Sequence, residues 1–256
     1  VVILFEPLPK EFFSNSPVPR LSRLRDKLKV LEQWGIDRVL CIKFDQKFSQ
    51  MTAQEFIQKI LIDGLNTKYL IIGDDFKFGF KRQGDFGLLK NQTAFQTFPT
   101  ETFLKNNRRV ASSWVRSAVM SGDFELAKIL LGRPYVLHGK VQHGDKNGRK
   151  LGFPTLNIGL PKPMAVSGVY EVRVHGIEDK SLLGVANVGT RPTLKLGFRR
   201  FLEVHLLDFQ GDCYGKKISV KFIRKIRDEK KFESLEKLKA QIQADIHSAK
   251  KEVKNN

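Results

Sequence analysis

The strongest constraint in this sequence is a change of hydrophobic pattern near Gly132 and Pro134. Before it, apolar runs of strand length alternate with stretches of helical spacing. After it, short strand-like runs follow one another at close intervals. The first pattern asks for a parallel sheet, because parallel strands need helical crossovers to return the chain. The second asks for a small antiparallel barrel or sandwich. One sheet does not serve both, and 256 residues suffice for two ordinary domains. The expected division is 1–132 and 133–256.

In the first part, Val1-Val2-Ile3-Leu4-Phe5 is a continuous apolar run, as in a strand covered on both faces. Over 21–34, Leu21, Leu24, Leu28, Leu31 and Trp34 recur at helical spacing, and Gly35 ends the helix. Strands are expected over 39–44 and 69–72. Between them Thr52-Ala53-Gln54-Glu55 is a capping box, opening a helix that buries Phe56, Ile57, Ile60 and Leu61. Helical spacing returns over 112–120 and 123–131. The second part offers strands over 135–141, 169–175, 182–188, 201–207 and 218–223, and a helix over 234–253 with Leu235, Leu238, Ile242 and Ile246 on one stripe.

Three clusters in the second part can carry chemistry. Gly148-Arg149-Lys150-Leu151-Gly152-Phe153-Pro154-Thr155-Leu156-Asn157 joins flexible glycines to two cations, which suits a phosphate chain; it equally reads as a glycine turn before a strand. Thr155 and Asn157 fall on the same side of an extended segment, as two hard oxygen donors for Mg²⁺. Asn187-Val188-Gly189-Thr190-Arg191-Pro192-Thr193 is a strand end entering a polar loop. In Phe201-Leu202-Glu203-Val204-His205-Leu206-Leu207-Asp208, alternation puts Glu203 and His205 opposite Leu202, Val204 and Leu206. By pattern alone, Glu203 fits an exposed strand carboxylate as well as a catalytic one.

Charge is the loudest feature of composition: 45 Lys+Arg against 27 Asp+Glu, a net +18. Such a field draws polyanions and phosphorylated small molecules alike. A basic nucleic-acid-binding protein is therefore the alternative reading, although no helix-turn-helix, zinc finger or aromatic RNA-binding strand pattern accompanies the charge. No apolar run is long enough to span a membrane. Cys41 and Cys213 are expected as buried free thiols, in keeping with a cytoplasmic location.

Taken in order, Gly152-Phe153-Pro154-Thr155-Leu156-Asn157, Gly168-Val169-Tyr170, Asn187-Val188-Gly189-Thr190-Arg191-Pro192-Thr193, Glu203-Val204-His205, Asp208-Phe209, Tyr214-Gly215 and Arg227-Asp228-Glu229-Lys230-Lys231-Phe232 resemble the riboflavin kinase domain. The resemblance implies a six-stranded antiparallel barrel with a C-terminal helix, phosphorylating riboflavin to FMN with ATP and Mg²⁺. It implies Glu203 as general base, ATP around Gly148, Lys150, Gly152, Thr155 and Asn157, the metal at Thr155 and Asn157, and Arg227 toward the flavin. No specific nucleic acid and no membrane partner is implied.

The first part resembles the FMN adenylyltransferase domain of bacterial FAD synthetases, a nucleotidyltransferase-like, Rossmann-like α/β domain. The matching residues are Leu4-Phe5-Glu6-Pro7, Gly73-Asp74-Asp75-Phe76-Lys77-Phe78-Gly79 with Arg82-Gln83-Gly84-Asp85, and Ala111-Ser112-Ser113-Trp114-Val115-Arg116. Asp75, Phe76, Arg82, Ser112, Ser113 and Arg116 are the nucleotide-site residues so implied; Trp114 stands where the family has Thr. That family opens on a strand and a His-x-Gly-His block with no counterpart in these residues. The sequence is thus expected to be an N-terminally incomplete copy of a bifunctional enzyme, with the first strand of its sheet missing. Kinase activity is expected of it as it stands, and FAD formation of the complete protein.

Overall fold

In the computed structural model, which describes residues 1–144, 148, 151–193 and 197–253, the chain passes between two units after Pro17, after Trp34 and after Val110. Val1–Pro17 and Gly35–Val110 form the first unit; Val18–Trp34 and Ala111–Asn256 form the second. The helix expected over 21–34 thus goes with the second unit, while the strands on either side of it go with the first.

The first unit contains two parallel pairs. Strand β1 (Val2–Glu6), followed by α1 (Pro9–Phe13), pairs with β2 (Val39–Lys43), and β3 (Tyr69–Gly73) pairs with β4 (Gln96–Thr100). After the short α3 (Gln46–Ser49), the Thr52 hydroxyl accepts from Glu55 N at 3.1 Å while Thr52 N donates to the Glu55 carboxylate at 3.0 Å. This capping box starts α4 (Ala53–Glu55), which widens into a π-helical stretch, Phe56–Gly64. Phe56, Ile57 and Leu61 are buried as their spacing predicts, and Ile60 packs at the edge of the same layer. Both pairs rest on that layer, β1 and β2 through Ile3, Phe5 and Ile42, β3 through Leu70 and Ile72. Alternation turns Tyr69 and Ile71 away from it, and both are exposed. Helix α5 (Phe86–Lys90) and the hairpin β5 (Leu104–Lys105) and β6 (Arg108–Arg109) complete the unit. Cys41 is exposed, contrary to expectation, because it lies on the uncovered side of β2; Cys213 is buried.

The second unit is a six-stranded antiparallel barrel. Its strands are β7 (Val136–Lys140), β8 (Leu156–Leu160), β9 (Gly168–His175), β10 (Leu182–Thr193), β11 (Gly197–Leu206) and β12 (Lys217–Arg227), in the order β7-β12-β9-β10-β11-β8. One bridge between Gln142 and Asn157, with Gln142 N donating to Asn157 O at 2.8 Å, brings the last strand back toward the first and nearly closes it. Tyr170, Val172, Leu202, Val204, Val220 and Phe222 fill the interior, each 2% exposed or less. The unit also contains α2 (Leu24–Gln33), α6 (Ser112–Ser121), α7 (Phe124–Leu131) and α8 (Leu235–Val253).

Helix α2 departs from its apolar stripe. Leu28 and Trp34 are exposed, whereas Arg23, Asp26 and Val30 are buried. The cause is a charge cluster on the barrel's outer wall. Arg23 donates from Nε and Nη2 to the Asp26 carboxylate at 2.9 and 3.1 Å, and His138 N of β7 donates to it at 2.9 Å. A further bond runs from the Arg23 guanidinium to the His138 carbonyl. Burial pushes the Asp26 pKa up, but the hydrogen bonds from His138 and Arg23 and the guanidinium charge outweigh it, holding the carboxyl well below the usual range. The folded pKa lies below the unfolded value of about 3.9, so this stabilisation is complete above about pH 4 and is lost as pH falls through the carboxylate range. Asp26→Asn, which leaves Arg23 buried without its counter-charge, should lower stability at neutral pH by about 3–5 kcal/mol. Denaturant unfolding at pH 7 and pH 3 checks this: the gap between variant and parent should narrow at the lower pH.

Candidate active site

Strand β11 builds the site through its pleat. Leu202 and Val204 point into the barrel and are fully buried, so Glu203 and His205 face outward, each half-buried. The register places Asn157 of β8, Glu203 of β11, Asn187 of β10, Val169 of β9 and Arg227 of β12 in one row across that outer face. Helix α8 packs over the same face through Ile246 and Ala249, against Val169 and Val185. Beside this contact a cavity of about 400 Å³ remains, lined by Thr155, Asn187, Glu203 and His205 from the barrel and by Leu238 and Ile242 from α8. Glu229 and Phe232, in the segment joining β12 to α8, also line it. The Glu229 carboxylate lies close over Gly189 of β10, where a Cβ would have to push it aside.

The loop before β8 forms one wall. Gly148 O accepts from Leu151 N at 3.1 Å and from Phe153 N at 2.8 Å, drawing the loop tight. A Cβ at Gly148 would strike the Phe153 carbonyl, which accounts for glycine there. Thr155 is shared between this cavity and a second one of about 480 Å³, bounded by Pro154, Phe209, Asp212, Cys213 and Tyr214. Asn157 is buried, and its Nδ2 donates to Thr155 O at 3.3 Å, holding the amide beside Thr155 with Oδ1 as an oxygen donor. A hydroxyl and a carboxamide oxygen are hard donors, so the pair fits a magnesium ion.

Arg227 lines the cavity, but its guanidinium is held by α8. It donates to Asp245 at 2.9 Å from Nε and 2.8 Å from Nη2, and Gln241 donates to the same carboxylate at 2.9 Å. Nearby, Arg224 Nε donates to Glu171 at 2.8 Å and Nη2 to the Ser248 carbonyl at 2.8 Å. Two arginines of β12 thus fasten α8 over the site. Sequence reasoning missed Asp245, although the signal was present: it lies on the stripe of Leu238 and Ile242, where a carboxylate must find a partner. Gly152 belongs to the same loop, and Lys150 lies outside the described residues.

In the first unit, Phe76 and Arg82 line a cavity of about 1100 Å³ whose walls are largely aromatic. Phe76 stacks on Phe78 at 5.5 Å, Phe78 meets Phe56 at 5.4 Å, and Phe48 meets Phe5 at 5.7 Å. Lys10, Lys77, Lys81 and Arg82 supply positive charge at its wall. Asp75 is exposed and pairs with Arg109 at 2.9 Å. Ser112, Ser113 and Arg116 stand in the first turns of α6, in the second unit, where Arg116 Nε donates to Pro19 O at 2.8 Å. Among the described residues, no group of three or more His, Cys, Asp or Glu is placed to hold a metal. No helix there is long and apolar enough to cross a membrane.

Comparison with known proteins assigns this barrel and the α/β unit carried with it to a class of transferases that handle flavins. The riboflavin kinase family model matches residues 131–253 and the FAD synthetase model residues 1–114. The bifunctional riboflavin kinase/FMN adenylyltransferase of Escherichia coli (strain K12) is 47% identical over 255 residues, 98% of this chain and 81% of that protein. The protein so described from Haemophilus influenzae is 44% identical, covering 97% and 82%. A solved structure from Streptococcus pneumoniae, described as a macrolide-efflux protein, superposes with a TM-score of 0.75 at 29% identity, covering 98% of this chain and 83% of that one. The chain belongs to the bifunctional riboflavin kinase/FMN adenylyltransferase family.

The anchoring of α8 makes a checkable claim. Asp245→Ala, which strands Arg227, should destabilise the protein by about 3–5 kcal/mol, whereas the double change Arg227→Met with Asp245→Leu should recover most of the loss. Urea unfolding of the three proteins measures both.

Proposed function

We propose that the second unit phosphorylates riboflavin to FMN with ATP, Glu203 acting as general base. The observation that carries this is the position of Glu203: on the outer barrel face, in register with Asn157 and in one cavity with Thr155. The ribityl 5′-hydroxyl attacks the γ-phosphorus of ATP. A new O–P bond forms, the bond from γ-phosphorus to the β,γ-bridging oxygen breaks, and ADP leaves. Glu203 takes the hydroxyl proton, a contribution of about 10²–10⁴ in rate. The loop running from Gly148 to Thr155 holds the phosphates, and the flavin occupies the cavity beneath α8. A magnesium ion bound through Thr155 and Asn157 would offset charge on the phosphate oxygens. Residues 133–256 supply this chemistry, with Val18–Trp34 packed as part of the same unit.

The first unit is proposed as the flavin-nucleotide side of FMN adenylylation. Its cavity offers aromatic walls to a flat ring and Lys and Arg to a phosphate, the two halves of FMN. Ser112, Ser113 and Arg116, with the amide groups of a helix start, suit the phosphates of ATP. An exposed and a buried free cysteine suit a reducing compartment, the cytoplasm.

Chromatographic separation of riboflavin, FMN and FAD after incubation with ATP and Mg²⁺ tests both readings. FMN should accumulate, and Glu203→Gln should cut its rate about 10²–10⁴-fold. A well-folded protein that forms no FMN sinks the kinase reading. FAD formed in addition would support adenylyl transfer by the chain as it stands. Gly148→Ala should also slow FMN formation, on the order of 10²-fold, since displacing the loop by an ångström misplaces the phosphates.

A further inference from the structure

His205 is two residues from Glu203 on the same outward face of β11, and it lines the same cavity. The kinase mechanism as proposed assigns it no task. Its ring nevertheless has a defined partner: Nδ1 lies 2.8 Å from the carbonyl oxygen of Pro154. A carbonyl only accepts, so Nδ1 must carry the hydrogen, in the neutral ring and in the cation alike. The ring is fixed from a second side by Phe153, which meets it edge-on with centroids 5.7 Å apart. Both contacts go to the loop that leads into Thr155, and Pro154 is the residue immediately before it.

The ladder of β8 on β11 pairs Leu156 with Val204 and extends no further toward Thr155 in that direction. Backbone pairing therefore fixes Asn157 beside Glu203 but leaves Pro154 and Thr155 past the end of the ladder. The imidazole takes over there, with a side-chain bond where the main-chain bonds stop. Pro154 suits that arrangement, having a carbonyl to offer and no N–H to satisfy. Thr155 borders both the cavity with Glu203 and the second cavity on its other side. A fraction of an ångström in its position changes the distance between whatever occupies the two.

The geometry points to His205 as a positioning residue: its Nδ1–H fastens the loop bearing Thr155 to the strand bearing Glu203, and so sets the separation of nucleotide and base. The assignment rests on the kinase reading above for what the two elements bind. It requires a donor at the Nδ1 position and nothing of Nε2, which separates it from a role for His205 as a second acid or base.

That requirement selects the variants. Asparagine places its amide nitrogen near the Nδ1 position, glutamine reaches toward Nε2, and phenylalanine keeps a ring for Phe153 while removing the donor. Steady-state kinetics of His205→Asn, His205→Gln and His205→Phe should be measured with each substrate varied, together with calorimetric binding of ADP with Mg²⁺. The expected result is that His205→Phe and His205→Gln raise KM for ATP and weaken ADP binding about tenfold, the scale of one lost hydrogen bond. KM for riboflavin should change by less than about twofold, and His205→Asn should stay within about threefold of the parent in every parameter. Three variants with parent-like ADP affinity and KM for ATP overturn the inference. So does an Asn variant as impaired as the Phe variant, which would assign the imidazole a task beyond its Nδ1 donor. Should His205→Phe fail to fold, the contrast between His205→Asn and His205→Gln decides the matter alone. A parent protein that binds ADP but makes no FMN defeats the kinase reading, and the calorimetric contrast still judges the fastening role.

Discussion

Successive side chains of a strand point to opposite faces, and in β11 that alternation sets both the stability of the barrel and the location of its chemistry. Leu202, Val204 and Leu206 are taken inward. Glu203 and His205 must then face outward, whatever else surrounds them. A slip of one residue would bury both polar groups and expose the leucines. Pairing with β8 and β10 fixes the register, so the packing that holds the barrel together also brings Asn157, Glu203 and Asn187 into one row.

The outside of a barrel is ordinarily solvent-facing, yet here helices cover parts of it, and arginine–carboxylate pairs hold them there. Arg23 with Asp26 ties α2 to β7, Arg224 with Glu171 lies under α8, and Arg227 with Asp245 joins α8 to β12. All three carboxylates are less than 5% exposed. Desolvated pairs of this kind add little net stability over well-packed apolar groups, but breaking one is costly, so they select a single arrangement of the helix. Some of the positive charge that sequence alone suggests is surface is thus turned inward. Leu238 and Ile242 line the cavity with Glu203, and Asp245, on the same stripe of α8, is held by Arg227.

The first unit solves a different problem. A layer of phenylalanines supports two parallel strand pairs on one side and bounds a large cavity on the other. Phe56 and Phe78 belong to both the core and the cavity wall. Positive charge arrives from a turn in which Lys81 and Arg82 adopt left-handed backbone angles, φ 51° and 59°, uncommon for residues with long side chains. Strain of that kind collects where a side chain must be aimed, here at the mouth of an aromatic pocket.

Much of this was legible in the residues themselves. Alternation in 201–207 assigned Glu203 to the outer face, the Thr52–Glu55 capping box placed the start of α4, and the close-spaced strand runs after Gly132 announced the six antiparallel strands of the barrel. These are local effects, decided by neighbours within a few positions, and a sequence displays them directly. The buried face of α2 was not legible. Its leucine spacing pointed to Leu28 and Trp34, but a partner 112 residues away, His138, drew Asp26 inward instead. The same holds for Arg227, whose guanidinium is claimed by a carboxylate on another element, and for the bond from His205 to Pro154, 51 residues distant. The sequence by itself determined which faces the barrel strand β11 and the helix opening at Thr52 would bury, since period and propensity act at short range. Only the tertiary structure decided which charged and polar groups met, because that depends on register and helix docking between segments far apart in the chain.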